Sequence, residues 1–241
     1  MTDHHIVKSF DEELVRLDNA IAEMGGLAEA QLADAIDALV KRDSEKAARV
    51  VAADKRIDLL ERQVDHAAIN LLALRQPVAG DLRAVVVALK TSALIERIGD
   101  YGKNIAKRAV ALSQTPPMGA AATVARMSRL VQEMMKNVLD AYLTRDAGKA
   151  EDVRRRDGDV DALHTSLFRE LLTYMMEDPR NISACTHLLF VAKNLERIGD
   201  HATNIAENVL FLVRGTEPED SRPKGDTSSF TVIQPDRKGA E

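Results

Sequence analysis

Tryptophan is absent, and aromatic residues make up 3% of the 241-residue chain. Strands favour aromatic and β-branched side chains, so this scarcity argues against an all-β fold. It also argues against an aromatic platform for stacking single-stranded nucleic acid. Cysteine occurs once, at Cys185, which excludes an intrachain disulfide and a cysteine-based zinc site. The N-terminal Met-Thr-Asp-His-His lacks the charged-then-apolar layout of a signal peptide. Long hydrophobic runs are missing too. In the central region the longest wholly apolar stretch is Ala84 to Leu89, far short of a membrane span. Positive charge is not in excess: 33 Lys and Arg against 38 Asp and Glu leave a formal charge of −5. That balance opposes a general binder of phosphate backbones. The expectation is a cytoplasmic protein with no membrane insertion and no direct nucleic-acid partner.

Proline is sparse and punctuates the chain at Pro77, Pro116, Pro117, Pro179, Pro218, Pro223 and Pro235. Between these breaks, apolar residues recur at helical spacing, as in Leu14, Leu17, Ile21, Met24 and Ala28. No period-2 strand pattern stands out. The spacing predicts an all-α fold with six helices, at about 4–41, 44–74, 77–113, 120–144, 147–177 and 179–214. Asp178-Pro179 has the form of an N-cap followed by proline at the first helical position. Paired glycines weaken a helix interior, so Gly25-Gly26 marks a potential kink in the first helix. The Gln114–Gly119 segment, with two prolines, reads as a linker. Residues 215–241 are polar and rich in proline and glycine, and read as a disordered tail.

The two halves match each other. Ile95-Glu96-Arg97-Ile98-Gly99-Asp100 aligns with Leu195-Glu196-Arg197-Ile198-Gly199-Asp200, and Asn104-Ile105-Ala106 with Asn204-Ile205-Ala206, at an offset of 100. Arg42-Asp43 through Ala47 aligns with Arg145-Asp146 through Ala150 at an offset of 103, and Asp54-to-Leu60 with Asp157-to-Leu163 in the same register. The chain is therefore a duplicated three-helix unit: residues 1–115, residues 120–214, and the tail.

Each half carries two motifs of an acid, three residues, then Asp. They are Asp54/Asp58 with Glu96/Asp100, and Asp157/Asp161 with Glu196/Asp200. A spacing of four puts both carboxylates on one helical face, where like charges repel by roughly 0.2–0.5 kcal/mol. If the second and third helices form an antiparallel hairpin turning near Gln76, the two motifs face each other within ~3 Å of helix rise. The hairpin turning near Asp178 aligns the other pair within ~1.5 Å. Four carboxylates on one seam form a hard-oxygen site suited to Mg²⁺, Ca²⁺, Mn²⁺ or iron. A single such pair is ordinarily a solvated face, and Arg97 or Arg197 can pair with the neighbouring acids; duplication across both hairpins is what favours a site. Asn104 and Asn204 extend the stripe by a turn as additional or outer-shell candidates. The seams differ: Lys107 becomes Glu207, Glu61 becomes His164, and Tyr101 becomes His201. The second seam thus gains a carboxylate, Glu207, and two imidazoles, His164 and His201, and is expected to bind metal more tightly. Gly99 and Gly199 stand mid-helix, where glycine costs ~1 kcal/mol against alanine, so a close backbone approach is expected beside each seam. Arg154-Arg155-Arg156 reads as a solvated face.

At these residues the sequence resembles the PhoU family, over about residues 5–214. The likeness rests on the two Glu-Arg-Ile-Gly-Asp segments, Asn-Ile-Ala after each, the duplicated acid pairs, and Arg75-Gln76-Pro77-Val78-Ala79-Gly80-Asp81-Leu82-Arg83. The second half departs at the last motif, reading Glu177-Asp178-Pro179-Arg180-Asn181-Ile182-Ser183. The resemblance implies two pseudo-symmetric three-helix bundles, each with a carboxylate seam that binds metal ions. The ligands carried over are Asp54, Asp58, Glu96 and Asp100, and Asp157, Asp161, Glu196 and Asp200. The metal expected is iron, manganese, magnesium, calcium or zinc. It also implies a regulator without catalytic activity, homodimeric, placed between the phosphate ABC transporter ATPase and a phosphate sensor histidine kinase. Such proteins restrain uptake and the starvation response when phosphate is plentiful. The competing reading is a ferritin-like di-metal oxidoreductase, whose Glu-x-x-His motif is approached once, by Asp161-x-x-His164. No glycine-rich phosphate loop and no nucleophile–base pair is recognisable, so direct phosphate sensing is not expected.

Overall fold

Leu17, Ile21, Met24, Ala28, Leu32, Ala35 and Leu39 are all buried, three or four residues apart, which is one stripe of a helix turned to a core. Val124, Met127, Val131, Met134, Val138 and Ala141 repeat that stripe in the second half. The computed structural model describes residues 2–218, with side chains from Phe10 onward. Its helices are α1 (Thr2–Lys41), α2 (Ser44–Ala53), α3 (Lys55–Arg75), α4 (Ala79–Leu112), α5 (Ala121–Thr144), α6 (Ala147–Glu177) and α7 (Ile182–Arg214). No strand occurs among the described residues. The predicted tail begins at Gly215, and residues 219–241 lie outside the described residues.

Two of the expected helices differ from the spacing-based expectation. The helix expected over 44–74 breaks at Asp54 into α2 and α3. Donors from α1 and α4 hold the Asp54 carboxylate inward from two sides, and the helix ladder is interrupted there. Its counterpart α6 runs unbroken through Asp157. The last helix is preceded by a short 3-10 turn, Pro179–Asn181, capped by the Asp178 side chain, which accepts from Arg180 N at 3.0 Å. The Gly25-Gly26 pair does not interrupt α1.

The repeated Arg-Asp dipeptide builds the same corner twice. Arg42 and Arg145 take left-handed φ values of 59° and 55°, which end α1 and α5. The next residue is an N-cap each time: Asp43 accepts from Lys46 N at 2.8 Å and Asp146 from Lys149 N at 3.0 Å.

One unit holds α1 to α4 and the other α5 to α7. Each has a three-rod cross-section, because α2 and α3 together form one rod. α4 and α7 pack against each other between the units. Lys90, early in α4, lies over Phe211, late in α7, and Arg108, late in α4, reaches His187, early in α7. The two helices therefore run antiparallel. Midway, Tyr101 stacks on His201 with centroids 5.5 Å apart. These are equivalent positions in the two repeats, so the pseudo-twofold axis passes beside them. The apolar core continues across this junction: Gly25, Ile95, Ile98, Met135, Val138, Leu139 and Ile205 meet there without room for water.

Candidate functional site

The first seam forms where α3 faces α4. Asp54 is 3% exposed. Its Oδ1 accepts from the Gln31 amide at 2.9 Å, and its Oδ2 lies 2.5 Å from Lys103 Nζ. The same ammonium reaches Asp100 Oδ1 at 2.5 Å. Gln31 also donates to the Gly99 carbonyl at 2.8 Å, tying α1 to the seam. Lys103 thus stands between the two carboxylates as a built-in cation. Burial disfavours its charge, but the hydrogen bonds it donates to Asp100 and Asp54 outweigh that and raise its pKa above the ordinary lysine range.

Outside this bridge lies a second group of acids. Burial, then Asp65 and Asp58, push the Glu61 carboxyl above the ordinary range. Burial, then Asp100, Glu61 and Asp58 among its neighbours, do the same for Glu96, against the opposing effect of Arg97. Arg97 lies 3.7 Å from Glu96 and 3.8 Å from Asp100, as the bland reading of these pairs anticipates. Asp58, Glu96 and Asp100 therefore share one electrostatic neighbourhood, as the hairpin reflection requires, while Asp54 sits deeper with Lys103.

The second seam is more deeply buried. Asp157 is 3% exposed, Asp161 5%, His164 4% and Glu196 7%. Asp157 accepts from the Thr203 hydroxyl at 3.2 Å, and Glu196 lies 2.9 Å from Lys193 Nζ. Asp200 is half-buried on the same face of α7. Thr203 is the equivalent of Lys103, so this half lacks the built-in ammonium at that position.

The glycines explain how the helices close over these seams. A Cβ at Gly99 would stand 2.9 Å from Ile57 Cδ1 and 3.6 Å from Asp54 Oδ1. At Gly199 it would meet Val160 at 3.4 Å. The close approach expected from the mid-helix glycines is present beside the first seam, whereas a Cβ at Gly199 would stand at the edge of ordinary van der Waals contact.

The additional candidates lie elsewhere. Asn104 faces the groove between α4 and α7 with Lys107 and Arg108. Asn204, His201 and Glu207 face the matching groove with Lys90 and Arg97. Glu207 lies 3.4 Å from Arg154, whose side chain is only 12% exposed. Arg154 is thus not part of a solvated face, although Arg155 and Arg156 pair with Asp152 and Glu133 at the surface.

A family model described as the PhoU domain matches residues 21–109 and 124–209, once in each unit. The chain belongs to the PhoU family. The two matched segments coincide with the internal duplication that this PhoU-family chain carries in its paired helices. It is 54% identical over 226 residues to the phosphate-specific transport system accessory protein PhoU homolog of Caulobacter vibrioides, covering 93% of this chain and 98% of that protein. The homolog from Rhizobium meliloti is 50% identical over 230 residues, covering 95% and 97%. The crystal structure of PhoU from Pseudomonas aeruginosa superposes with a TM-score of 0.84 at 41% identity, over 86% of this chain and 100% of that one. The phosphate transport system regulatory protein PhoU from Streptococcus pneumoniae gives 0.81 at 28%, over 87% and 99%.

The donor sets of the two PhoU repeats fit a cation unequally. In the second, three buried carboxylates and an imidazole supply hard oxygen and borderline nitrogen donors, the chemistry of a divalent-metal site. In the first, Lys103 already bridges Asp54 and Asp100 and offsets part of their charge. Among the described residues, no three His, Cys, Asp or Glu side chains converge closely enough to hold an ion as they stand. Loading would therefore require rotamer changes, and in the first seam displacement of Lys103. Gln31 and Lys103 are the site residues that spacing missed. Lys103 had a signal, since it stands three residues after Asp100 on the same face. Gln31 had none, being 23 residues from its partner on another helix.

Proposed function

We propose that this chain is a metal-binding regulator of phosphate uptake and phosphate-starvation signalling. It acts as an adaptor between the phosphate ABC transporter ATPase and a phosphate sensor histidine kinase, and represses both uptake and response when phosphate is plentiful. The observation that carries this reading is near-full-length identity of 50–54% to proteins named as accessory to phosphate-specific transport. No described helix is long and apolar enough to cross a membrane; the proposed contact with the transporter is peripheral, at its cytoplasmic ATPase.

The residues that would hold metal are Asp157, Asp161, Glu196 and Asp200, with His164 beside them, and more weakly Asp54, Asp58, Glu96 and Asp100. A bound cation would supply the charge that offsets these crowded carboxylates. The Thr203-for-Lys103 exchange and the deeper burial support tighter binding at the second seam. A homodimer would present two such pairs to partners.

The test is a pull-down of the full chain from phosphate-replete and phosphate-starved cells, with metal analysis of the same sample. Capture of the transporter ATPase and the kinase in replete cells is expected. Asp100→Ala with Asp200→Ala should reduce both bound metal and capture; unchanged values for both would sink the reading. Metal-dependent oxygen consumption by the purified chain would revive the ferritin-like alternative.

A further inference from the structure

The antiparallel α4–α7 pair carries two grooves, one on each side of the Tyr101–His201 stack. One is lined by Lys90 and Leu94 of α4 and by Asn204, Glu207 and Asn208 of α7, among others. The other, a cavity of about 330 Å³, is lined by Asn104, Lys107, Arg108, His187, Phe190 and Asn194. At the offset of 100, Asn204, Glu207 and Asn208 correspond to Asn104, Lys107 and Arg108, and Lys90 and Leu94 to Phe190 and Asn194. The duplication has thus built one groove twice and then given the copies different charge. Where one has Glu207 and Asn208, the other has Lys107 and Arg108.

The smaller groove has two permanent cations, two side-chain amides and an imidazole, and no carboxylate among the described residues lines it. This stands out in a chain of formal charge −5. Arg108 is held in place: its guanidinium carbon lies 4.4 Å from the Phe190 ring centroid, and Nη1 lies 3.2 Å from His187 Nδ1. A guanidinium fixed by stacking loses little freedom when it takes up an anion. Its fork suits two oxygens of one tetrahedral group, Lys107 adds a point charge, and the Asn104 and Asn194 amides can serve remaining oxygens. Two cations match a dianion, and the cavity is at the small end for ligand sites.

We propose that the groove between Asn104, Lys107 and Arg108 of α4 and His187 and Asn194 of α7 binds a tetrahedral oxyanion, phosphate either free or as a small monoester. The proposal is independent of metal at the carboxylate seams.

Equilibrium dialysis of the full chain with labelled inorganic phosphate, and separately with glycerol phosphate, tests it, in low salt, with and without a chelator. Saturable binding at one site per chain is expected. Lys107→Gln should weaken it about tenfold, and Lys107→Gln with Arg108→Gln more strongly, as expected for charge-assisted hydrogen bonds. Lys107 is exposed, so its substitution leaves the fold intact, and unchanged helical circular dichroism checks the double variant. Tighter binding of one ligand than the other identifies whether free or esterified phosphate is the occupant. Absence of saturable binding at millimolar concentrations of either ligand overturns the proposal. So does an unchanged affinity in Lys107→Gln, or binding that vanishes with chelator, which would move the anion to a metal at the seams.

Discussion

Lys103 is the residue on which the first seam turns. It is half-buried, and it bridges the buried Asp54 to Asp100. Removing one partner of such a pair leaves an uncompensated charge. Lys103→Met should therefore cost about 3 kcal/mol, the low end for breaking a buried pair. The measurement is urea unfolding. A divalent cation should restore more stability to the variant than it adds to the parent; equal effects would show that no cation takes the ammonium's place. His187 offers a second test at this scale. Burial, then the Arg108 guanidinium, hold its imidazole below the ordinary range. The charged groups facing it across the groove are Arg108 and Lys107. A lowered folded-state pKa means that the unfolded chain binds the proton more readily. The associated stability is present above the ordinary imidazole pKa of about 6.5 and is lost as pH falls from there toward the folded value. Arg108→Gln should move the His187 midpoint upward by NMR titration. An unmoved midpoint would remove Arg108 as a cause.

At the scale of the element, neighbouring glycines in α1 play opposite parts. A Cβ at Gly25 would stand 2.5 Å from Leu139 Cδ2 and 3.2 Å from its Cγ, so the whole isobutyl group of α5 would have to move. At Gly26, which is exposed, a Cβ would meet nothing within 4 Å. Gly25→Ala is expected to destabilise by about 1–3 kcal/mol through overpacking. Gly26→Ala is expected to stabilise by up to about 1 kcal/mol through helix propensity. Thermal unfolding of the two single variants checks the pair, and a stabilising Gly25→Ala would contradict the contact. Spacing located this dipeptide but read it as a potential kink. Propensity sees what glycine lacks, whereas Leu139 is supplied by a helix more than a hundred residues along the chain. The Arg42-Asp43 and Arg145-Asp146 corners were visible as identities, and their left-handed arginines and capping aspartates account for why they recur.

For the whole molecule, the continuous core across α4, α5 and α7 predicts cooperative unfolding. Far-UV circular dichroism reports on every helix, while tyrosine absorbance reports on Tyr101 at the junction and on Tyr142 and Tyr174 in the second unit. The two signals should give one coincident transition. Two separated transitions would mean that the units fold independently. The sequence by itself determined the helical class, the duplication and the meeting of the acid motifs in the first hairpin. Those features depend on periodicity and on reflection about a turn, which local spacing records. Tertiary structure alone decided that Gln31 and Lys103 hold the Asp54 carboxylate of the first seam, and that the second seam is the more deeply buried. It also brought Arg108 and His187, 79 residues apart, into one groove. These pairings are set by which helices lie side by side, and no short-range pattern in the chain carries that information. The scarcity of cysteine and aromatics excluded other architectures; the packing of α4 on α7 decided where the charges of this one meet.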